Sequence, residues 1–264
     1  MEKKTKPGQP NVPSDTATSE VAPSRNDRQL AETAFPIVGV GASAGGLEAF
    51  TQFLEALPLD TGMGFVLVQH LDPEHESSLK QILSRVTSLP VSEIENDQPV
   101  EPNNIYIIPP DTNLKIANGK LQLMPRPKTR TPHRPIDSFF ESLASDRAER
   151  AIGVVLSGTA NDGTLGLESI KAAGGITFAQ DDSAKYDSMP RSAVAAGCVD
   201  LVLSPSGIAE EIARIAKHPY VAGQPFELSD HTQSEPDEAI TNQHSDSDTP
   251  TDATQFTLAA MVLG

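Results

Sequence analysis

The chain has 264 residues, enough for one large domain or two small ones, and a formal net charge of −16. Such an acidic balance argues against nucleic acid and anionic membrane as main partners, because both favour basic patches. No apolar run reaches the ~18 residues of a membrane span, which predicts no membrane insertion. The lone cysteine, Cys198, cannot form an internal disulfide, which favours a reducing, cytoplasmic location.

Both ends of the chain differ in composition from its middle. Residues 1–34 contain little apolar sequence, and no apolar core follows the first lysines, so we expect no secretory signal. Residues 221–264 contain eight acidic side chains and no Lys or Arg, which is half of the net negative charge. Neither end buries enough apolar surface to offset the entropy of ordering. We therefore expect two disordered tails around one folded domain at 35–220.

Between the two tails, short apolar runs alternate with helical periods. The runs predict strands at 37–40, 65–69, 91–94, 105–108, 152–156, 176–179 and 201–203. The periods predict helices at 46–57, 76–88, 136–150, 164–173, 192–196 and 207–217. Continuous apolar strands flanked by helices predict an α/β fold with a doubly wound, mostly parallel sheet. Asn118-Gly119 within 113–124 predicts an appended antiparallel hairpin.

The first predicted strand runs directly into a glycine-rich turn that contains one serine. Gly41-Ala42-Ser43-Ala44-Gly45 fits G-x-S-x-G, the pattern of a serine nucleophile on a sharp strand-to-helix turn. The N–H groups at the start of the next helix would face a developing negative charge. The same letters also fit an ordinary glycine turn or a helix N-cap.

Two further polar residues follow other predicted strands. His70 comes directly after the strand that ends at Gln69, and Asp162 lies in the loop after the strand at 152–156. The carboxyl ends of parallel strands meet at one edge of a sheet, so we expect these side chains to share a rim with Ser43. Histidine serves as a general base near neutral pH, and a carboxylate that accepts its far N–H fixes its tautomer.

Other interpretations of the same residues stay open at this point. The order Ser43, His70, Asp162 differs from the Ser-Asp/Glu-His order of α/β-hydrolases, although triads are defined by geometry rather than order. A strand-end histidine satisfied by a carbonyl, and an aspartate in turn and cap chemistry, are the ordinary structural alternatives. The glycines approach a dinucleotide-binding pattern but have an extra residue, and no Walker-type lysine follows. His70 and His75 lack a convincing third metal ligand, so we expect no metal and no cofactor.

Several motifs together resemble the catalytic domain of chemotaxis protein-glutamate methylesterases, the CheB family. They occur in order through residues 35–218 and comprise Val38–Gly46, Val68–His70, Ile105–Pro110, His133–Pro135, Leu156–Leu167 and Met189–Ala193. The resemblance implies Ser43 as nucleophile, His70 as base and Asp162 as orienting acid. It also implies a substrate class, the γ-glutamyl methyl esters on chemoreceptor cytoplasmic helices, with receptor glutamines deamidated by some relatives.

The chain departs from the common form of this family in three ways. The 34 residues before the domain are too few for a receiver domain, so phospho-activation in cis is not expected. Ala44 replaces a common threonine, and Thr159 replaces a common methionine at the oxyanion site. The Ser-Gly-Thr form is similar to esterase domains that open methylesterase–methyltransferase fusions, and the acidic tail would then be a linker.

Further contacts with the substrate follow from the same resemblance. Ala44, Thr159, Met189 and Arg191 are the expected oxyanion or substrate-binding residues. Arg85, Arg134 and Arg191 are candidates for docking acidic receptor helices, or ordinary solvated surface. The alternative function is a receptor- or partner-binding module that keeps the fold with little or no chemistry.

Overall fold

A computed structural model describes residues 35–69, 78–126 and 133–218 of the chain. The predicted tails at 1–34 and 221–264 therefore lie outside the described residues. The strands are β1 (Ile37–Ala42), β2 (Gly64–Gln69), β3 (Val91–Glu93), β4 (Gln98–Pro99), β5 (Ile105–Ile107), β6 (Thr112–Ala117), β7 (Lys120–Pro125), β8 (Ala151–Val155), β9 (Ile176–Gln180) and β10 (Leu201–Leu203). The helices are α1 (Gly46–Ala56), α2 (Leu79–Leu83), α3 (Pro135–Arg147), α4 (Thr164–Ala172), α5 (Ser188–Ala195) and α6 (Pro205–Ala216), with a 3-10 turn at Ala148–Arg150.

Within these ranges, seven strands form one sheet in the order β10-β9-β8-β1-β2-β5-β3. All of its pairings are parallel. Its central strand, β1, aligns Ala42 with Gln69 of β2 and Gly41 with Val155 of β8. The three strands whose ends carry the predicted site are therefore neighbours at the middle of the sheet.

Helices cover both faces of this sheet, which confirms the predicted doubly wound architecture. One buried cluster joins the sheet to α1, α2 and α6 and includes Phe50, Phe53 and Ile212. The other joins it to α3, α4 and α5 and includes Phe139 and Phe140. Burying large aromatic and branched side chains on two faces supplies the main driving force for folding.

The predicted hairpin is present as β6 and β7, which pair antiparallel around Asn118-Gly119. It belongs to a separate three-stranded sheet, in which the short β4 pairs with β7. Sequence analysis missed β4 because a two-residue edge strand that ends in a proline lacks an apolar period.

Helix boundaries show the largest differences from the sequence predictions. The helix predicted at 192–196 begins earlier, at Ser188, because Pro190 falls in the first turn where its missing N–H costs no hydrogen bond. The helix predicted at 207–217 begins at Pro205, where the Ser204 hydroxyl accepts the Gly207 N–H. Of the helix predicted at 76–88, the described part contains only Leu79–Leu83.

Among the described residues, no helix is both long and apolar enough to cross a membrane. Cys198 is buried and carries a free thiol, and burial raises the pKa of that thiol.

Candidate functional site

Ser43 lies on a sharp turn between β1 and α1, as the glycine pattern predicts. The strand ends at Ala42, directly before the serine, and the helix begins at Gly46, three residues after Ser43. The Ser43 carbonyl accepts the Gly46 N–H at 2.9 Å, which closes the turn. Gly45 has φ 75°, a left-handed conformation that glycine adopts without a Cβ penalty.

A second glycine brings α3 against this turn. A Cβ at Gly41 would collide with the side chain of Ile136, near the start of α3, so only glycine permits this close approach. The Ile136 N–H in turn donates to the Asp162 carboxylate at 3.1 Å. The end of β1, the start of α3 and the Asp162 loop therefore meet at the carboxyl edge of the sheet.

Asp162 is buried and caps the N-terminus of α3. Its Oδ2 accepts the Ile136 N–H, and its Oδ1 accepts the Asp137 N–H at 2.9 Å. A carboxylate at a helix start satisfies amides that lack intrahelical partners and interacts favourably with the helix dipole. Two carboxylate oxygens offer about four acceptor positions, so this capping is compatible with accepting a histidine N–H as well.

Asp137 in turn caps the N-terminus of α4. Its Oδ1 accepts the N–H groups of Gly163 and Gly166, at 2.8 and 3.0 Å. Its Oδ2 accepts from the Arg134 guanidinium at 3.2 Å, and Arg134 also donates to Asn161. Asp162 thus caps the helix that contains Asp137, and Asp137 caps the helix that follows Asp162.

The charge of Asp137 is disfavoured in this setting. Burial raises the pKa of Asp137, the nearby Asp162 carboxylate raises it further, and the backbone N–H groups of Gly166 and Gly163 oppose the rise. Sequence analysis missed this residue. The signal for it is the sequence Arg134-Pro135-Ile136-Asp137, in which an acidic residue occupies the first turn of a helix that starts with proline.

The loop after β8 is anchored to the serine turn by Ser157. The Ser157 carbonyl accepts the Ser43 N–H at 3.0 Å, and the Ser157 hydroxyl donates to the Ala44 carbonyl at 2.9 Å. The Ser157 N–H donates to Gln180 Oε1 at 2.8 Å. Sequence analysis did not single out Ser157 or Gln180, because neither type of contact has a local sequence pattern.

His70, the predicted base, lies outside the described residues. Its position in the chain is directly after Gln69, the last residue of β2, and Gln69 pairs with Ala42 in the sheet register. Of the predicted triad, the described residues therefore place Ser43 and Asp162 at the same edge of the sheet.

The predicted oxyanion residues differ in whether their backbone N–H groups are available as hydrogen-bond donors. Within the described part of the chain, neither the Ala44 N–H nor the Gly45 N–H donates a hydrogen bond. The Gly158 N–H is engaged by the Tyr186 carbonyl at 2.8 Å, which removes it as a donor. Thr159 follows and is exposed. The Thr159 N–H likewise donates to no described atom, so backbone N–H groups of the serine turn and of Thr159 are the candidate oxyanion donors, and none of them depends on the side chain at position 44.

Met189 and Arg191 occupy opposite environments on α5. Met189 is fully buried, with its sulfur packed against Gly158, and so supports the loop from beneath. Arg191 is 71% exposed and pairs with Asp187 at 2.9 Å. Of the three predicted docking arginines, Arg191 and Arg85 are exposed and accessible to a macromolecular substrate, whereas Arg134 is held by Asp137 and Asn161.

A cleft of about 280 Å³ lies beside the end of β2. Gln69, Asp111, Arg126 and His133 contribute its polar lining. Across the described ranges, no group of three or more His, Cys, Asp or Glu side chains is arranged to hold a metal ion.

The parallel sheet and a serine presented on a strand–turn–helix elbow at its carboxyl edge define the class, an α/β domain built like a serine hydrolase. Residues 38–212 match the model of the family described as CheB methylesterase. The crystal structure of the Thermotoga maritima CheB methylesterase catalytic domain has a similar fold, with a TM-score of 0.63 and 31% identity, covering 68% of this chain and 98% of that one. The chain belongs to the CheB methylesterase family.

Two relatives show how the match extends over longer and shorter proteins. A Leptospira interrogans protein, provisionally named protein-glutamate methylesterase/protein-glutamine glutaminase, is 33% identical over 183 residues, which are 69% of this chain and 95% of that protein. A 104.1 kDa protein of Rhodobacter capsulatus that is named as uncharacterised is 40% identical over 136 residues, 51% of this chain. The match covers only 14% of the Rhodobacter protein.

Proposed function

We propose that residues 35–220 form a serine esterase domain that removes methyl groups from glutamate γ-methyl esters of chemoreceptors in chemotaxis-type signalling. The observation that carries this proposal is the family match over residues 38–212, combined with a serine on the elbow that ends β1. The product of such a reaction is a free glutamate carboxylate, so the enzyme returns negative charge to the receptor helices.

The proposed reaction has two steps. Ser43 Oγ attacks the ester carbonyl carbon while His70 accepts the hydroxyl proton, and the resulting oxyanion is held by backbone N–H groups of the elbow. The C–O bond to methanol then breaks, and His70 returns the proton to the departing methoxide oxygen. Water, deprotonated by His70, then attacks the acyl carbon; the bond from that carbon to Ser43 Oγ breaks, and His70 returns the proton to Ser43 Oγ as the glutamate carboxylate is released. Asp162 orients the histidine and stabilises its charged form.

The same chemistry extends to receptor glutamines. Attack on a γ-amide would release ammonia in place of methanol and would also yield a glutamate. The name of the Leptospira relative covers both activities. We propose deamidation as a second reaction of the same site, with Ser43 as nucleophile in both.

We also propose a substrate, a covalent partner and a location for the domain. The substrates are methylated receptor helices, and exposed Arg191 supports docking of their acidic side chains. A methyltransferase domain in a longer fusion is the proposed covalent partner, which agrees with a match to a small part of a 104.1 kDa relative. The proposed location is the cytoplasm, where the methylated receptor helices lie.

The test is methanol release from methylated receptor by the whole chain, compared with Ser43→Ala. We expect Ser43→Ala to lose about 10⁶ of turnover, because removing a nucleophile disables the whole catalytic unit. Ser145→Ala is the matched control, since its hydroxyl lies on the exposed surface of α3 and bonds only within the helix. Equal rates for wild type and Ser43→Ala would refute the nucleophile. If the chain binds the receptor, releases no methanol and is not labelled at Ser43 by a fluorophosphonate, it is a binding module instead.

A further inference from the structure

The serine elbow contains one peptide whose orientation is not fixed by the elbow's own sequence. Ser43 to Gly46 form a β-turn closed by the Ser43 carbonyl and the Gly46 N–H. Gly45, the third residue, has φ 75° and ψ 2°, and Ala44 is not among the residues with positive φ. These values define a type II turn, which differs from type I by rotation of the central peptide, here Ala44–Gly45.

That rotation decides which polar group each side of the elbow presents. In a trans peptide the carbonyl and the N–H point in opposite directions, and the described peptides contain no cis bonds. With the Ala44 carbonyl directed at Ser157, the Gly45 N–H faces the other way, where within the described residues it donates to no atom. The reversed peptide would present a carbonyl oxygen there, which repels a developing oxyanion.

Ser157 is the group that holds the observed orientation. Its hydroxyl accepts the Tyr186 N–H at 3.0 Å and has two carbonyl acceptors, of which the Ala44 oxygen at 2.9 Å is nearer than the Tyr186 oxygen at 3.4 Å. The shorter contact makes the Ala44 carbonyl the main acceptor of its proton. The side chain is almost completely buried, so water does not compete for these contacts. A Cβ at Gly45 would lie 2.6 Å from the Ser157 oxygen, which shows how closely the hydroxyl is seated against the turn.

The backbone of Ser157 is itself fixed on two sides. Its N–H donates to Gln180 Oε1 at 2.8 Å, and its carbonyl accepts the Ser43 N–H at 3.0 Å. Gln180 is buried, and its amide nitrogen donates to the Ser183 hydroxyl at 3.1 Å. The hydroxyl therefore acts on the elbow from a rigid support, not from a mobile loop.

We propose that Ser157 is a positioning residue for hydrolysis, which keeps the Ala44–Gly45 peptide turned so that its N–H, and not its carbonyl, faces the forming oxyanion. This inference rests on the proposed function, because it assumes that Ser43 is the nucleophile. It assigns to Ser157 a role exerted through the backbone, with no contact between Ser157 and the substrate.

The test compares kcat and KM for methylated receptor in Ser157→Ala, Ser157→Thr and the wild type, all as whole chains. Ser157→Ala is expected to lower kcat by about 10²-fold and at most about 10³-fold, the cost of losing one oxyanion donor outright. KM should change by less than about 3-fold, because the lost interaction acts in the transition state. Ser157→Thr retains the hydroxyl and should recover most of kcat.

Thr177→Val is the matched control for the loss of a buried hydroxyl. Thr177 is fully buried, and its hydroxyl donates to the Cys198 carbonyl, while its position near the start of β9 places it at the opposite edge of the sheet. Thr177→Val should lower the melting temperature about as much as Ser157→Ala, with kcat within about 2-fold of wild type because it touches no reacting group.

The outcomes separate the two proposals. If Ser43→Ala retains wild-type activity, the proposed function fails. If Ser43→Ala is inactive while Ser157→Ala keeps its kcat, or loses no more than Thr177→Val, only the positioning role fails. A crystal structure of Ser157→Ala supplies an independent check, since a reversed Ala44 carbonyl supports the inference and an unchanged turn with lowered kcat overturns it.

Discussion

The buried carboxylates Asp162 and Asp137 should respond differently to the same Asp→Asn change. Each oxygen of Asp162 accepts a backbone N–H, so an amide in either orientation would direct its NH₂ at a buried donor. Asp137 instead receives both backbone N–H groups on Oδ1. An asparagine there keeps both bonds and turns its NH₂ towards Arg134, a partly exposed side chain that keeps its surface hydrogen bond to Asn161.

These hydrogen bonds determine how far the two variants should differ in unfolding free energy. Asp162→Asn leaves one buried N–H unpaired, at about 1–3 kcal/mol, and removes a charge from the start of α3, at about 0.3–1 kcal/mol. A total of about 3 kcal/mol corresponds to a fall of about 6–12 °C in melting temperature for a domain of this size. Asp137→Asn should stay within about 1 kcal/mol of wild type, because no buried donor is lost.

Thermal and urea unfolding at neutral pH measure both variants, with Asp182→Asn as a control at a fully exposed side chain. Methanol release then adds an independent readout, since Asp162→Asn should lose about 10⁴ in kcat if it sets the tautomer of His70. Equal destabilisation by Asp162→Asn and Asp137→Asn, or a wild-type melting temperature for Asp162→Asn, would refute the capping argument.

Three further changes test other parts of the site. Because the folded pKa of Asp137 lies above its ordinary value of 3.8, its favourable contribution is complete below that value and is lost as pH rises through the folded pKa. The unfolding free energy of wild type relative to Asp137→Asn should thus decrease with rising pH in urea titrations, and a constant difference would contradict this. Gly158→Ala should cost about 1–3 kcal/mol in urea unfolding, because its methyl group would collide with the Met189 sulfur, and an unchanged midpoint would show that the loop yields freely. Arg191→Ala should leave stability within about 0.5 kcal/mol, since the side chain is exposed, and should raise KM for receptor, so an unchanged KM would remove Arg191 from the docking surface.

The fold could be predicted well where local sequence determines local structure. The apolar run before Ser43 predicts β1, and the apolar period after Gly46 predicts α1, with the helix end displaced by one residue. Asn118-Gly119 predicts the hairpin because few other residues adopt its turn. The boundaries at 192–196 were wrong because a proline within a helical first turn resembles a helix breaker when only the sequence is considered.

The site could be predicted only in part. The rule that functional residues follow parallel strands selects Ser43 and Asp162, but the sequence does not state that β8, β1 and β2 are neighbours. The partners of Asp162 are 25 and 26 residues away along the chain, and Ser157 acts on Ala44 across 113 residues. Such contacts depend on how the helices pack, which no local period records.

The replacements at positions 44 and 159, relative to the common family form, are weaker evidence against esterase activity once the contacts of the elbow are known. Ala44 and Thr159 differ from the frequent residues in their side chains, whereas the proposed oxyanion donors are backbone N–H groups. The direction of the Gly45 N–H depends on its positive φ and on the Ser157 hydroxyl, neither of which involves the side chain at position 44. Because Ser157, which lies outside the elbow, holds this peptide, we expect alanine to be tolerated next to the proposed nucleophile. The departures are therefore compatible with an active esterase, and beyond the proposed triad the residue whose replacement should lower kcat most is Ser157.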